Sequence, residues 1–409
     1  MKFTRIFRTL FTAVCLTLLF SKPVIGSAFS IKPEIEGTTG LDTNFYKAET
    51  QEREVYTYNI KPGIRLGYET GKSSLSLNYW LNAFYYKDKG DVPDGQRKAD
   101  DDDYVGHTGF FSARTQPYRR LILRLDDSYH KTRDASQADR FSNSVEREKY
   151  VINRLTPMIF YEFENRFSLG LRYHYMVTDY ARDDAEDSVE HRGTLDLLYH
   201  FTRTLNLDLQ YQHWNRDYDR ISSDYTSDQF DLILRKQFKY FSFEAGGGYH
   251  TRSFEKESLD DMDMFVCKFV IRGQNPPAPE SSPRSHILFS VEQNFNDSGS
   301  GDDYFETFRI RLRAGHTFMK KILTNAECSY KKSDYETRTG LIHAGDVQLR
   351  EDDIYGLSVG AGYKFNEWLT FTIGTGYEKR DSNLAGYSYD NTYVKAGINF
   401  YYDLSGRQR

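Results

Sequence analysis

The sequence predicts an all-β fold: a transmembrane, antiparallel, up-and-down β-barrel of about 18 strands behind an N-terminal signal peptide. Three observations predict it. Apolar and polar residues alternate with period 2 through nearly all of the chain after residue 28, as in strands with one apolar and one polar face. The connections between these runs are sorted by length, tight after even-numbered runs and mostly longer and polar after odd-numbered ones. The composition joins a mean hydropathy of −0.69 to 16% aromatics, with 32 Tyr and 29 Phe. A soluble protein seldom needs so many aromatics. A membrane barrel places them in girdles at both interfaces, while its polar lumen and loops lower the average.

The N-terminus reads as a secretory signal peptide over 1–28. Lys2, Arg5 and Arg8 form its basic region, Leu10 to Phe20 its apolar core, and Gly26-Ser27-Ala28 a small-residue cleavage site, so the mature chain is expected to start at Phe29. The apolar core is too short to span a membrane as a helix, and no later run approaches spanning length. Thr-Ala-Val-Cys15 is a poor lipoprotein box, and no lipidation is expected. Of 54 basic and 59 acidic residues the leader removes four bases and no acid, leaving a formal charge of −9, which argues against a nucleic-acid partner. Cys267 and Cys328, the two mature cysteines, sit on apolar faces and make no disulfide framework.

Residues 29–409 read as one barrel. The first strand spans roughly 31–45. The second sets Tyr56, Tyr58, Ile60, Pro62, Ile64, Leu66 and Tyr68 against Lys61, Gly63, Arg65, Gly67 and Glu69. After the Thr70-Gly71-Lys72-Ser73 turn, the third alternates Leu75, Leu77, Tyr79, Leu81, Ala83 and Tyr85 with polar partners and Trp80. Further pairs fall near 104–116 and 119–131, 148–164 and 166–181, 189–203 and 205–218, and 225–238 and 241–254. The set ends with 263–273 and 284–296 (joined by Pro-rich 274–282), 304–318 and 322–334, 353–365 and 368–380, and a last strand at 391–403. The count is even, as in bacterial single-chain barrels. Connections 48–53, 87–103, 134–147 and 336–350 are the long polar ones, expected outside the cell, with both termini periplasmic. On that basis tags within 134–147 or 336–350 are expected to be accessible on intact cells, unlike one at Asn366-Glu367. A soluble β-solenoid or sandwich array is the competing fold. No short fixed-period repeat supports a solenoid, and a sandwich has no reason to sort its loops.

If the apolar face meets lipid, the polar face lines the lumen. Arg309, Arg311 and Arg313 then form one lumenal column opposite Phe308, Ile310 and Leu312, with Arg272 and Lys331 on lumenal faces too. Three like charges at i, i+2 spacing require an anion or several acidic neighbours, and basic rings select anions in pores. The blander reading is cross-strand pairing with acids such as Glu244, Glu292, Glu327 and Glu378. Glycines 246, 248, 356, 360, 362, 374 and 376 also fall on that face, for barrel bending or a wider passage. Acidic runs such as Asp100 to Asp103 and Glu351-Asp352-Asp353 read as solvated loop charges, with divalent-cation binding the minority reading. No nucleophile elbow, zinc-protease helix or phosphate loop occurs, so no enzyme and no cofactor are expected.

In the last strand Val394, Ala396, Ile398, Phe400 and Tyr402 share one face. Lys395-x-Gly397-x-x-Phe400-x-Tyr402 resembles the C-terminal signal read by the outer-membrane barrel-assembly machinery, although seven residues follow it. With the leader, strand count and loop asymmetry, the chain resembles the β-barrel porin 2 group of outer-membrane barrels associated with exopolysaccharide export. The resemblance covers 29–409 and rests on pattern, with only the C-terminal signal carried over by residue. It implies an outer-membrane conduit for a secreted polysaccharide, acidic ones included, with lipid, lipopolysaccharide and periplasmic export components as partners. The alternatives are a general diffusion porin for small solutes and a closed barrel acting through its loops as adhesin or receptor. A dedicated conduit should carry a plug and conduct poorly at rest.

Overall fold

In the computed structural model, which describes residues 28–404 apart from 93–94, 138, 146, 165, 183–185, 221, 258, 278–282, 297–303 and 336–348, eighteen strands form one closed antiparallel sheet. In order they are β1 (Ala28–Asp42), β2 (Val55–Glu69), β3 (Ser73–Asp88), β4 (Tyr104–Tyr118), β5 (Leu121–Thr132) and β6 (Tyr150–Phe163). Then come β7 (Phe167–Tyr180), β8 (Ser188–Thr202), β9 (Leu205–Tyr218), β10 (Tyr225–Gln237), β11 (Phe241–Phe254) and β12 (Met262–Asn275). The last six are β13 (Ser285–Phe295), β14 (Phe305–Phe318), β15 (Ile322–Tyr335), β16 (Glu351–Lys364), β17 (Leu369–Ser382) and β18 (Tyr389–Tyr401). Each strand pairs with its sequence neighbours, and β1 closes the ring on β18 with Glu34 opposite Tyr401 and Asp42 opposite Tyr393. The expected leader lies outside the described residues, as does most of the 336–350 connection.

The alternation read from the sequence is the inside–outside alternation of this wall. Outward positions are exposed and apolar, among them Ile60, Leu171, Leu232, Ile287, Leu357 and Ile398. Aromatics gather at both ends of that surface. Phe163, Phe201, Phe241, Phe318 and Phe400 lie near the tight turns, and Tyr129, Tyr173, Tyr211, Tyr249 and Tyr355 toward the long loops. Several of the latter bond a polar residue of a neighbouring strand: Tyr173 to His191 at 2.6 Å, Tyr211 to Asp228 at 2.5 Å and Tyr249 to Asp263. These contacts satisfy the phenol hydroxyls where the apolar belt ends, as interfacial aromatics require. Cys267 and Cys328 lie on this outer surface as free thiols.

Prolines fall where the ladder tolerates a missing N–H. Pairing of β2 with β3 skips from Ile60–Ala83 to Gly63–Trp80, leaving out Pro62. Pairing of β6 with β7 likewise omits Pro157, and Pro117 sits in the irregularity between Thr115 and Tyr118. At the β14–β15 turn Lys321 donates to the Phe318 carbonyl at 2.9 Å, and Met319 and Lys320 have φ of 50° and 60°, the primed hairpin geometry that usually selects Asn-Gly.

Candidate functional site

A barrel of this strand number encloses an aqueous channel unless something fills it. Here described loop residues enter it from the long-loop end. Residues 133–149, between β5 and β6, fold inward, correcting the expectation that this connection stands accessible outside. Phe141 is fully buried between Phe305 of β14 and Tyr335 of β15. Asp139 accepts from Asn296 at 3.3 Å, Asn143 donates to the Tyr335 hydroxyl at 2.8 Å, and Arg147 stacks over Phe45 at 4.0 Å. A Phe among polar residues has nowhere apolar to go in water, and the aromatic wall supplies the burial that holds the loop inside.

The loop is also gripped by its main chain. Arg309 donates to the Arg140 carbonyl at 3.2 Å, Lys331 to those of Phe141 and Ser142 at 3.0 Å each, and Arg380 to that of Asn143. Four consecutive carbonyls are thus held by three wall cations from β14, β15 and β17. Arg309 also lies over the Phe141 ring at 4.9 Å. Hydrogen bonds from charged donors are stronger than neutral ones, so this is a firm polar attachment for the loop.

The neighbouring connections lock to the same loop. Asp102, almost wholly buried, bonds Tyr46 at 3.1 Å, Arg97 at 2.9 Å and Arg133, joining three loops at one carboxylate. Burial, with Asp102 beside it, pushes the Tyr46 hydroxyl up to about 12, so it stays a donor at any physiological pH. Across the lumen Arg216 pairs with Glu190 at 2.9 Å, and Arg252 stacks on Tyr225 at 4.2 Å while donating to the Asn296 carbonyl at 3.0 Å. Trp214, Tyr225, Met262, Met264, Phe295 and Tyr304 form an apolar cluster on that side. The opposed readings of the wall charges resolve toward pairing. Arg235 meets Glu244 at 3.0 Å, Lys268 meets Glu244 at 2.8 Å, and Arg172 meets Asp196 at 3.1 Å.

The basic column is divided by this arrangement. Arg309, Arg311 and Arg313 do share one lumenal column, and acidic neighbours answer their repulsion: Glu292 lies 3.5 Å from Arg309, and Glu327 lies 3.0 Å from Arg311 and 2.6 Å from Arg313. Arg309 and Lys331 attach the loop, whereas Arg311 and Arg313 border the open lumen below it. Arg272 is exposed in the lumen on the rung shared by Leu288 and Arg313. Lys395 and Gly397 face inward and Phe400 and Tyr402 outward, with Phe400 against Trp368 at a ring distance of 5.0 Å. Gly248 is required by close approach, because a Cβ there would run into the Phe230 carbonyl of β10. Among the described residues no cluster of three or more His, Cys, Asp or Glu side chains is placed to hold a metal. Sequence reasoning missed the loop grip and the lumenal aromatic packing; Phe141, an apolar residue stranded in a polar connection, was the available signal.

Residues 241–402 match the family described as "Putative beta-barrel porin 2". That match spans β11 to β18. A comparison with curated proteins returned no match. Among solved structures the chain is similar to OpdK of Pseudomonas aeruginosa with vanillate, at 10% identity and a TM-score of 0.49, covering 91% of this chain and 99% of that one. OccAB2 of Acinetobacter baumannii gives 11% identity and a TM-score of 0.48 over 92% and 98% of the two chains. OccK9 (OpdG) of Pseudomonas aeruginosa gives 12% and 0.48 over 91% and 98%.

Proposed function

We propose that the protein is an outer-membrane channel for small polar solutes, narrowed by its own β5–β6 loop. The observation that carries this is an aromatic-girdled barrel with a polar lumen, crossed by a loop held on wall cations. A wall built this way suits lipid outside and water inside. In the closed arrangement the space beside the loop is that of a small molecule, which favours solutes over a polymer. The residues 1–28 act as the export leader, the barrel-assembly machinery reads the C-terminal strand, and lipid and lipopolysaccharide surround the belt. Ala28 and Leu404, the first and last described residues, lie at the tight-turn end, which we assign to the periplasm because the long loops leave from the other end.

The second reading, export of an exopolysaccharide, draws on the family match over β11 to β18 and on the loop grip, which has the form of a gate. It requires the loop to leave the lumen. Planar-bilayer recording separates the two. The intact protein should conduct in small steps, and replacing 135–148 with a short Gly-Ser linker should raise unitary conductance several-fold while the heat-modifiable folded form persists. If neither form conducts, the barrel is not a channel and the adhesin or receptor reading takes its place. Joining Ser142→Cys to Lys331→Cys with a short bifunctional maleimide, which spans the length the lysine side chain covered, should spare small-solute conductance. If it instead stops secretion of a polymer from cells, the polymer reading prevails.

A further inference from the structure

A polar cavity of about 320 Å³ lies between Arg140 of the inward loop and the wall from β8 to β13, at the small end of small-molecule sites. Its wall is dominated by side-chain amides. Gln212 donates to Gln210 at 3.0 Å, Gln229 donates to Asp231 at 2.8 Å, Asn294 donates to Gln229 at 3.3 Å, and His250 bonds Asn294 at 2.7 Å. Each amide offers two hydrogens and a carbonyl oxygen, and these bonds engage only part of that capacity. The result is a row of alternating donors and acceptors facing one space. Trp214 also lines the cavity, and its indole N–H is buried with no acceptor among the described residues. A buried donor left unmatched is unfavourable by about 1–3 kcal/mol, which a ligand or water oxygen would offset.

The charges at this cavity are already matched. Arg140 faces Glu292 at 3.6 Å, Arg192 bonds Glu190 at 3.0 Å, and Lys268 bonds Glu244 at 2.8 Å. An anion entering here would compete with those carboxylates and face Asp231. A cation would meet three fixed cations. A polyhydroxylated neutral molecule would meet neither penalty, because each hydroxyl both donates and accepts and so suits an amide-lined wall.

We infer that this cavity is a binding site for a neutral polyol of monosaccharide size. The inference deepens the channel reading by naming the solute class, and the experiment below keeps their failures apart. The Trp80→Phe, Trp368→Phe variant leaves Trp214 as the only indole. In detergent micelles it is titrated with glucose, glucuronate and succinate, and its emission is followed. Glucose should shift the Trp214 emission saturably in the millimolar range, ahead of both anions. Gln229→Leu or Gln212→Leu should weaken glucose roughly tenfold, the loss expected for one or two buried hydrogen bonds. Gln229→Glu serves if the Leu variants lose the heat-modifiable fold, and should weaken glucose likewise. Arg313→Gln should leave glucose binding unchanged. Tighter binding of succinate or glucuronate than glucose overturns the inference, as does glucose binding indifferent to both glutamines. If the protein conducts but Trp214 ignores glucose, the inference fails and the channel reading stands. If Trp214 responds in a barrel that never conducts, the site stands and the channel reading fails.

Discussion

Lys331→Met is the sharpest perturbation of the loop grip. Lys331 is half-buried and donates to two successive loop carbonyls at 3.0 Å each. Hydrogen bonds from a charged group contribute about 1.5–3 kcal/mol each. The partial exposure of Lys331 argues for the low end, so the pair is worth about 3 kcal/mol. At 1.4 kcal/mol per decade that changes the ratio of loop-in to loop-out by roughly 150-fold. Arg309 and Arg380 still hold the flanking carbonyls, so the loop is loosened at its centre without being cut free. Met keeps the length and the apolar stem and removes the ammonium. Single-channel recording of the refolded protein is the assay, with the fraction of time in the larger conductance level as the readout. The fraction should rise by about two orders of magnitude if it starts low, and limited proteolysis within 140–145 should become faster. An unchanged current record with unchanged proteolysis would mean that Phe141 alone holds the loop, and the reasoning about the carbonyls would be wrong.

Replacing Arg309, Arg311 and Arg313 together by Gln leaves Glu327 without its two arginines and Glu292 with Arg140 alone, so the barrel should fold but its permeability ratio should move toward cations; an unmoved reversal potential would show that these charges do not face the conducting path. Ile310→Arg on the outer face should instead deplete folded barrel, since a charge near the midplane destabilises by about 2–4 kcal/mol, measured by urea titration in lipid. Phe400→Ala with Tyr402→Ala should lower the heat-modifiable form in the outer membrane, and normal levels would remove the assembly role given to the last strand. Lys320→Gly relieves a left-handed residue at the β14–β15 turn, where φ is 60°, and should stabilise by about 1 kcal/mol in the same titration.

The wall was legible because period-2 alternation is a local property. Each strand carries its own assignment, and Arg309, Arg311, Arg313, Lys331 and Lys395 could be placed inside from their neighbours alone. Connection lengths are equally local, so the number and the order of the strands followed. The interior of the barrel is not local. Phe141 finds Phe305 and Tyr335 more than a hundred residues along the chain, and Lys331 is bound to carbonyls that belong to no side-chain pattern. Backbone acceptors look alike at every position, so no sequence motif announces that a cation will hold them. The arginine column shows the limit from the other side: its partners Glu292 and Glu327 come from strands on either side, and only the register brings them within reach. The inward loop was read as outward because polar composition is shared by a loop that meets bulk water and one that meets a wet lumen.

The attachment of 140–143 by main-chain carbonyls has a consequence for how this protein can vary. Carbonyl oxygens are the same whatever residue carries them, so the fastening constrains the path of the chain and not its side chains. Ser142 and Ser144 could be exchanged for other small residues with the loop still seated, while Arg140, the loop's contribution to the lumenal cavity, could be altered with loss of its contacts with Glu292 and the Phe141 ring but not of the carbonyl fastening. On the channel reading, gate and solute preference are therefore separable under mutation: drift in loop side chains other than Phe141 would retune what passes, whereas loss of Arg309, Lys331 or Arg380 would change whether the loop stays.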